Sequence, residues 1–235
     1  MKRLYFIVFL LASCLVGQAN GESILVAQVK DVFTNTAQIQ LIAALAETNY
    51  NRADDILKSL PVDTRATNGG TVLWWEANVG NFDAFAYLLR KGAKPGLAVT
   101  DTYNTLELCA KQEDPLLLAA AVEHGGNVNL IGYFTRQTPI YSAILARRTA
   151  NVQLLIKNNA CLNVSEPTGI TPLIWASDAK AFDLVVLLLK HGANPSARDN
   201  SGFSALDILQ KLHPKADHPL YESYVEAMKL LQGGQ

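Results

Sequence analysis

The stretch Thr171-Pro172-Leu173-Ile174-Trp175-Ala176 restates Thr138-Pro139-Ile140-Tyr141-Ser142-Ala143 at a distance of 33 residues. Outward from these two, the alanine runs back through Ala110 and Ala77 at the same period, and Ala44 lies one period further upstream. Downstream of each alanine an apolar run closes on a turn residue: Leu88 to Gly92, Ala121 to Gly125, Leu155 to Asn159 and Leu188 to Gly192. These runs are spaced 33, 34 and 33 residues apart. Self-similarity at such a period marks an array whose unit buries its apolar face only against its neighbours. The 235 residues are therefore read as one continuous array rather than two unlike domains.

Each unit predicts two short helices. In the second they cover Val72 to Val79 and Phe82 to Lys91, with Gly80-Asn81 as the turn between them. In the units opening at Thr138 and Thr171 the threonine caps the first helix and the following proline takes its first turn. The third unit departs from this pattern, since Thr105-Leu106-Glu107 stands where Thr-Pro-Leu is expected. There Asp114-Pro115 reads as the cap and first residue of the second helix. The first unit has Ile39, Leu41, Ile42 and Leu45 on one helical face and a second helix from Arg52 to Leu60, stopped by Pro61. The last unit opens at Gly202-Phe203-Ser204-Ala205-Leu206. It closes on a helix from Pro219 to Leu231 that uses Tyr221, Tyr224, Val225, Met228 and Leu231. Six units with divergent ends are expected over residues 38–235.

The Thr-Pro-Leu-x-x-Ala start, the apolar second segment and the ending His191-Gly192-Ala193-Asn194-Pro195 resemble the ankyrin repeat. The resemblance implies an all-α ankyrin-repeat solenoid, with first helices on a concave side and the loops between units projecting as fingers. The fingers are Asp63 to Gly70, Val99 to Asn104, Leu130 to Gln137, Val164 to Ile170 and Ala197 to Phe203. They carry Tyr103, Tyr133, Phe134 and Arg136, with Arg65 and Arg198 on flanking fingers, and these are residue types that dominate interface energetics. Trp175 lies one residue before the repeat alanine. Counting by the alanine period puts Glu76, Cys109 and Ser142 at the same position. In the resembling family this position often faces the groove, so Trp175 and Glu76 join the candidate contacts. Trp74 and Trp75 compete for the core, which needs at least one of them.

At the other end of the chain, Met1-Lys2-Arg3 followed by the apolar run Leu4 to Leu11 reads as an export signal over residues 1–19, too short to span and remain in a bilayer. Leu11-Ala12-Ser13-Cys14 resembles the bacterial lipobox, which implies a diacylglycerol thioether on Cys14 and an envelope location. With Leu15 after the cysteine, outer-membrane anchoring facing the periplasm is expected. Cleavage after Gly17-Gln18-Ala19 is the alternative, with Cys14 lost. Residues 20–37 are read as a tether that continues into a short helix around Ile24 to Phe33.

Twenty basic and twenty-one acidic residues give a formal net charge of -1, and no long basic patch points to nucleic acid. No Gly-x-Ser-x-Gly elbow, His-Glu-x-x-His helix or glycine-rich phosphate loop is present, so no catalytic residue and no cofactor is assigned. His213 and His218 flank Asp217 in a loop, but the support for a metal there is thin and no metal site is assigned. Cys109 and Cys161 are read as small buried residues, though an oxidising compartment permits a disulfide between them.

An exported, lipid-anchored ankyrin array is similar to the immunity proteins encoded beside type VI secretion phospholipase effectors. That resemblance implies a protein that neutralises a lipase-type toxin at the periplasmic membrane face. A periplasmic scaffold or stress-protective role is the alternative.

Overall fold

A computed structural model describes residues 29–97, 99, 102–212, 214, 217 and 219–233. The expected leader, Cys14, His213 and His218 lie outside the described residues. The chain divides into two compact units, one running to Ala93 and the other from Lys94. In the first, α1 (Thr36–Ala46) pairs with α2 (Tyr50–Leu57), α3 (Val72–Val79) pairs with α4 (Phe82–Arg90), and α1 packs on α3. The second holds four pairs: α5 (Thr105–Lys111) with α6 (Leu116–Glu123), α7 (Pro139–Leu145) with α8 (Thr149–Lys157), α9 (Pro172–Asp178) with α10 (Phe182–Lys190), and α11 (Ala205–Gln210) with α12 (Tyr221–Gly233). Its first helices pack in succession, α5 on α7, α7 on α9 and α9 on α11. Two pairs and four pairs are the six expected units. Among the described residues the extended pairing is confined to an isolated bridge between Arg198 and Ser204.

Short polar residues start the first helices. Thr71, Asn104, Thr171 and Ser204 each hold an extended backbone and accept a bond from the N–H of the third helical residue, respectively Trp74, Glu107, Ile174 and Asp207. Such a cap contributes about 1 kcal/mol. Thr138 departs from the expectation. Its backbone is in the capping conformation, but its hydroxyl accepts no cap bond and is buried without a partner. At the third pair Asp114 accepts from the Leu116 N–H, while Pro115 itself stands at the cap. In the first pair Asn49 caps through the Arg52 N–H, so α2 starts at Tyr50 and ends at Leu57, earlier at both ends than Arg52 to Leu60.

Backbone bonds correct the register taken from the alanines. The first N–H groups after the inter-helix turns, those of Asn81, Arg148 and Ala181, donate to the carbonyls of Glu76, Ala143 and Ala176. Glu76, and by the same count Cys109, therefore occupies the position of Ala143 and Ala176, while Ala77 and Ala110 lie one residue beyond it. The true equivalents of Trp175 are Ser142, Leu108 and Trp75. The caps Thr71, Asn104, Thr138, Thr171 and Ser204 are spaced 33, 34, 33 and 33 residues apart. An extra residue thus lies between Ala121 and Thr138.

Leu88, Leu155 and Leu188 are fully buried in their second helices, each contributing about 1.5–3 kcal/mol through removal from water. Trp74 and Trp75 are both core residues. Phe33 meets the Trp75 ring edge-on at 6.1 Å and is buried with Val29, so the segment read as a tether packs into the first unit from Val29 onward. On α12 the buried positions are Ala227 and Leu231, whereas Val225, expected on the apolar face, is exposed. The Tyr224 hydroxyl fixes that helix by donating to the carbonyls of Leu209 and Leu212. Cys109 is buried and Cys161 is exposed, both as free thiols.

Candidate functional site

The fingers at residues 66–70, 166–170 and 199–203 share one turn. The N–H of its first residue donates to the carbonyl four residues on, at 2.7, 3.1 and 3.0 Å, and the N–H of its fourth residue donates back, at 3.0, 2.9 and 2.9 Å. That fourth residue is Gly69, Gly169 or Gly202, with φ of 81°, 84° and 84°. In the finger at 132–137 the same two bonds run from Gly132 to the Gln137 carbonyl, 2.8 Å, and from Arg136 back to the Gly132 carbonyl, 2.9 Å. The loop is one residue longer, and here the extra residue of the register is accommodated. Arg136, at φ 57°, holds the left-handed position that the other three fingers give to glycine, at a cost of about 1–2 kcal/mol.

The means of tying the turn also differs. In two of the sister fingers an acidic first residue does it. The Glu166 carboxylate accepts from the Thr168 N–H at 3.0 Å, and Asp199 accepts from the N–H groups of Ser201 and Phe203, both at 2.9 Å. Gly132 has no side chain for this. Its missing Cβ would lie 2.7 Å from both carboxylate oxygens of Glu107 and 2.3 Å from the Thr135 hydroxyl. The carboxylate comes instead from α5: Glu107 accepts from the Thr135 hydroxyl and from the Asn104 N–H at 2.7 Å. One pair further along, Tyr141 takes the corresponding role at the third position of α7. Its hydroxyl is shared between the Val164 and Ile170 carbonyls of the next finger, at 2.7 and 2.8 Å.

Burial pushes the Glu107 carboxyl above the ordinary range, opposed by the bonds from Thr135 and Asn104 and by the charge of Lys111. One turn on, burial lowers Lys111 to about 8, against the pull of Glu107. The Lys111 ammonium sits over the ring of Tyr103, whose hydroxyl is raised by burial and by Glu107. This finger therefore stands on a buried, hydrogen-bonded base.

Its tip is the opposite. Tyr133 is 66% exposed, Phe134 63% and Ile131 51%. Arg136 is exposed as well and makes no ion pair among the described residues. Tyr133 and Phe134 thus face solvent rather than packing back on the helices.

The remaining expected contacts are dispersed. Trp175 is half-buried with its ring edge-on to Tyr141 at 6.0 Å. Tyr103 is half-buried beneath Lys111. Arg198 is exposed but committed to its own finger, donating to the Gly202 carbonyl at 2.6 Å and to Asp207 at 2.8 Å. Arg65 is exposed in the first unit. Glu76 is corrected: at 2% exposure it is a core residue, and its carboxyl is pushed up to about 8 by burial, opposed by a bond from Asn81. Among the described residues no group of His, Cys, Asp and Glu is placed to hold a metal ion, and no helix is long and apolar enough to cross a membrane. The sequence reading passed over Ile131, Gly132, Thr135 and Glu107. Their signal was available in the 34-residue step between Ala121 and Leu155.

Residues 106–199 match the family model for ankyrin repeats, in three copies. Residues 106–199 thus carry ankyrin repeats, and the chain has their helical fold, a scaffold for protein interaction. It is similar to the putative palmitoyltransferase ZDHHC13 of Danio rerio, 31% identical over 164 residues that make up 68% of this chain and 25% of that protein. Among solved structures it resembles the ankyrin repeat domain of Bcl-3, with a TM-score of 0.70, 21% identity and coverage of 86% and 87% of the two chains. It also resembles an ankyrin repeat domain from Acinetobacter baumannii AYE, with a TM-score of 0.70, 23% identity and coverage of 83% and 96%. The chain spans less than half the length of the curated relatives it matches. The transferase named for the zebrafish protein is therefore a property of that protein.

Proposed function

We propose that this protein is an envelope-anchored immunity protein that binds a lipase-type toxin through its fingers and blocks the toxin's cleft or its access to the bilayer. The observation that carries the binding reading is the finger at 130–137, where two aromatic side chains more than three-fifths exposed stand on a buried hydrogen-bonded base. Aromatic and arginine side chains held in place before contact are the usual source of binding energy in an interface. The toxin and the anchor rest on the lipobox resemblance at Leu11 to Cys14 and on the architecture that accompanies it. Trp175 and Tyr103 belong to the same unit as this finger and remain candidate contacts, Arg65 is a candidate in the other unit, and Glu76 is withdrawn.

Co-purification with the product of the adjacent gene tests the reading. A neighbour with a Gly-x-Ser-x-Gly motif that binds the chain and loses lipase activity on binding is the expected result. Alanine at Tyr133, Phe134, Arg136 or Trp175 then costs at least about 2 kcal/mol of affinity at any true hot spot. A neighbour that is no toxin removes the immunity reading. Four variants that all bind and protect like the wild type remove the surface.

A further inference from the structure

We propose that the finger at 131–136 is a rigid plug that seats in an apolar hollow of a protein partner, with a carboxylate of that partner at the rim of the hollow to receive Arg136. The proposal rests on the protein-binding reading above and narrows it from several fingers to one. Its shape comes first. The finger is one residue longer than its sisters and leaves Tyr133 and Phe134 66% and 63% exposed, with Ile131 51% exposed. Three exposed apolar side chains within four residues of one finger are removed from water together most fully by an apolar hollow that receives the finger.

The plug is built to keep its form before it binds. Two backbone bonds close it, between Gly132 and Gln137 and between Arg136 and Gly132. Thr135 ties it to Glu107, a side chain with no exposure at all. Gly132 packs so closely on that carboxylate that a methyl group could not be added without displacing it. Tyrosine and phenylalanine have only two side-chain torsions each, so fixing them on a fixed loop loses little entropy when the partner arrives.

Arg136 supplies the charge argument. Three sister fingers place glycine at its left-handed position, at 69, 169 and 202, and the fold alone favours glycine there. The arginine is exposed, makes no ion pair among the described residues and is the single cation between Leu130 and Gln137. A guanidinium held against the backbone's preference, with no ion pair among the described residues, is matched by a carboxylate brought from outside. A bilayer fits less well. It imposes no fixed geometry on inserted side chains, and anionic lipid surfaces are recognised by clusters of cations rather than by one.

The test places p-benzoylphenylalanine at Phe134 of the full chain, and at exposed Glu123 of α6 as control, in cells that produce the protein with its natural neighbours. Irradiation is followed by identification of the adduct by mass spectrometry. The expected adduct joins position 134, and not 123, to one protein, within a peptide lining an apolar hollow that carries an aspartate or glutamate at its rim. Combining the probe with Arg136→Gly, which restores the residue of the sister fingers, lowers the adduct yield at least tenfold while the circular dichroism spectrum stays unchanged. If that protein is the lipase-type neighbour, both readings stand. If it is another protein with the same dependence on Arg136, the plug stands and the lipase reading falls. Attachment to phospholipid, an adduct indifferent to Arg136→Gly, or none above the control overturns the plug, and co-purification still decides the lipase reading.

Discussion

Glu76 is a carboxylic acid at the position that Ala143 and Ala176 fill in later repeats. It is 2% exposed, and burial raises its carboxyl from an ordinary 4.5 to about 8. Desolvation penalises the charged form, so at neutral pH the folded chain holds this group protonated and the unfolded chain releases the proton. The folded state binds the extra proton, so the stability it contributes is fully present below about pH 4.5 and is lost as pH rises towards 8. Glu76→Gln keeps the shape and removes the titration. The variant is expected to exceed the wild type in stability by a few kcal/mol at pH 8 and to lose that advantage near pH 4.5. Urea unfolding at the two pH values measures it, and parallel pH profiles for the two proteins would show that Glu76 ionises freely in the fold.

At the scale of elements, a side chain at the third position of a first helix governs the finger that follows. Glu107 does so through Thr135, and Tyr141 does so through two carbonyls of the finger at 164–170. Thr135→Val preserves shape and removes the hydroxyl, leaving one oxygen of the buried Glu107 carboxylate without that partner, at a cost of about 1–3 kcal/mol. Faster hydrogen exchange at the amides of Gly132 and Arg136 is the accompanying local sign, and unchanged exchange there would mean that the backbone bonds alone hold the finger. The second helices answer to packing instead. Leu188 is fully buried in α10, and Leu188→Ala should cost about 2–5 kcal/mol. A loss below half a kcal/mol in urea unfolding would place this leucine outside the core.

At the scale of the whole molecule, a binding module acts where it is held. If Cys14 receives acyl chains, the array stays at a membrane face by the combined effect of more than one chain, which passes the threshold for stable anchoring. Cells fed a clickable palmitate should label the wild type and leave Cys14→Ser dark. Equal labelling, or a mature chain that starts at Asn20, removes the anchor and leaves the interaction to be explained in solution. Whatever its location, the chain presents Tyr133, Phe134 and Arg136 from a short turn between helix pairs. Local substitutions in the finger at 132–136 should therefore alter binding while the helical signal is preserved.

The amino-acid sequence alone determined the pairs of helices, the cap at Thr171 and the repeat that stacks them, because local propensity and a 33-residue period are written along the chain; the hydroxyl of Thr138, read as a cap by the same pattern, makes no such bond. The sequence also carried the exposed tip in plain view, since Tyr133, Phe134 and Arg136 suit no structural turn. Only the tertiary structure decided where the extra residue went. A period marks that a step of 34 has occurred but not which side chain is displaced by it, so alanines matched by count placed Glu76 beside Trp175 when its backbone places it in the core. The support of the finger at 132–136 was likewise out of reach of any pattern. Glu107 lies 28 residues from Thr135, and the two meet because α5 and α7 pack together and Gly132 leaves the space for a carboxylate between them.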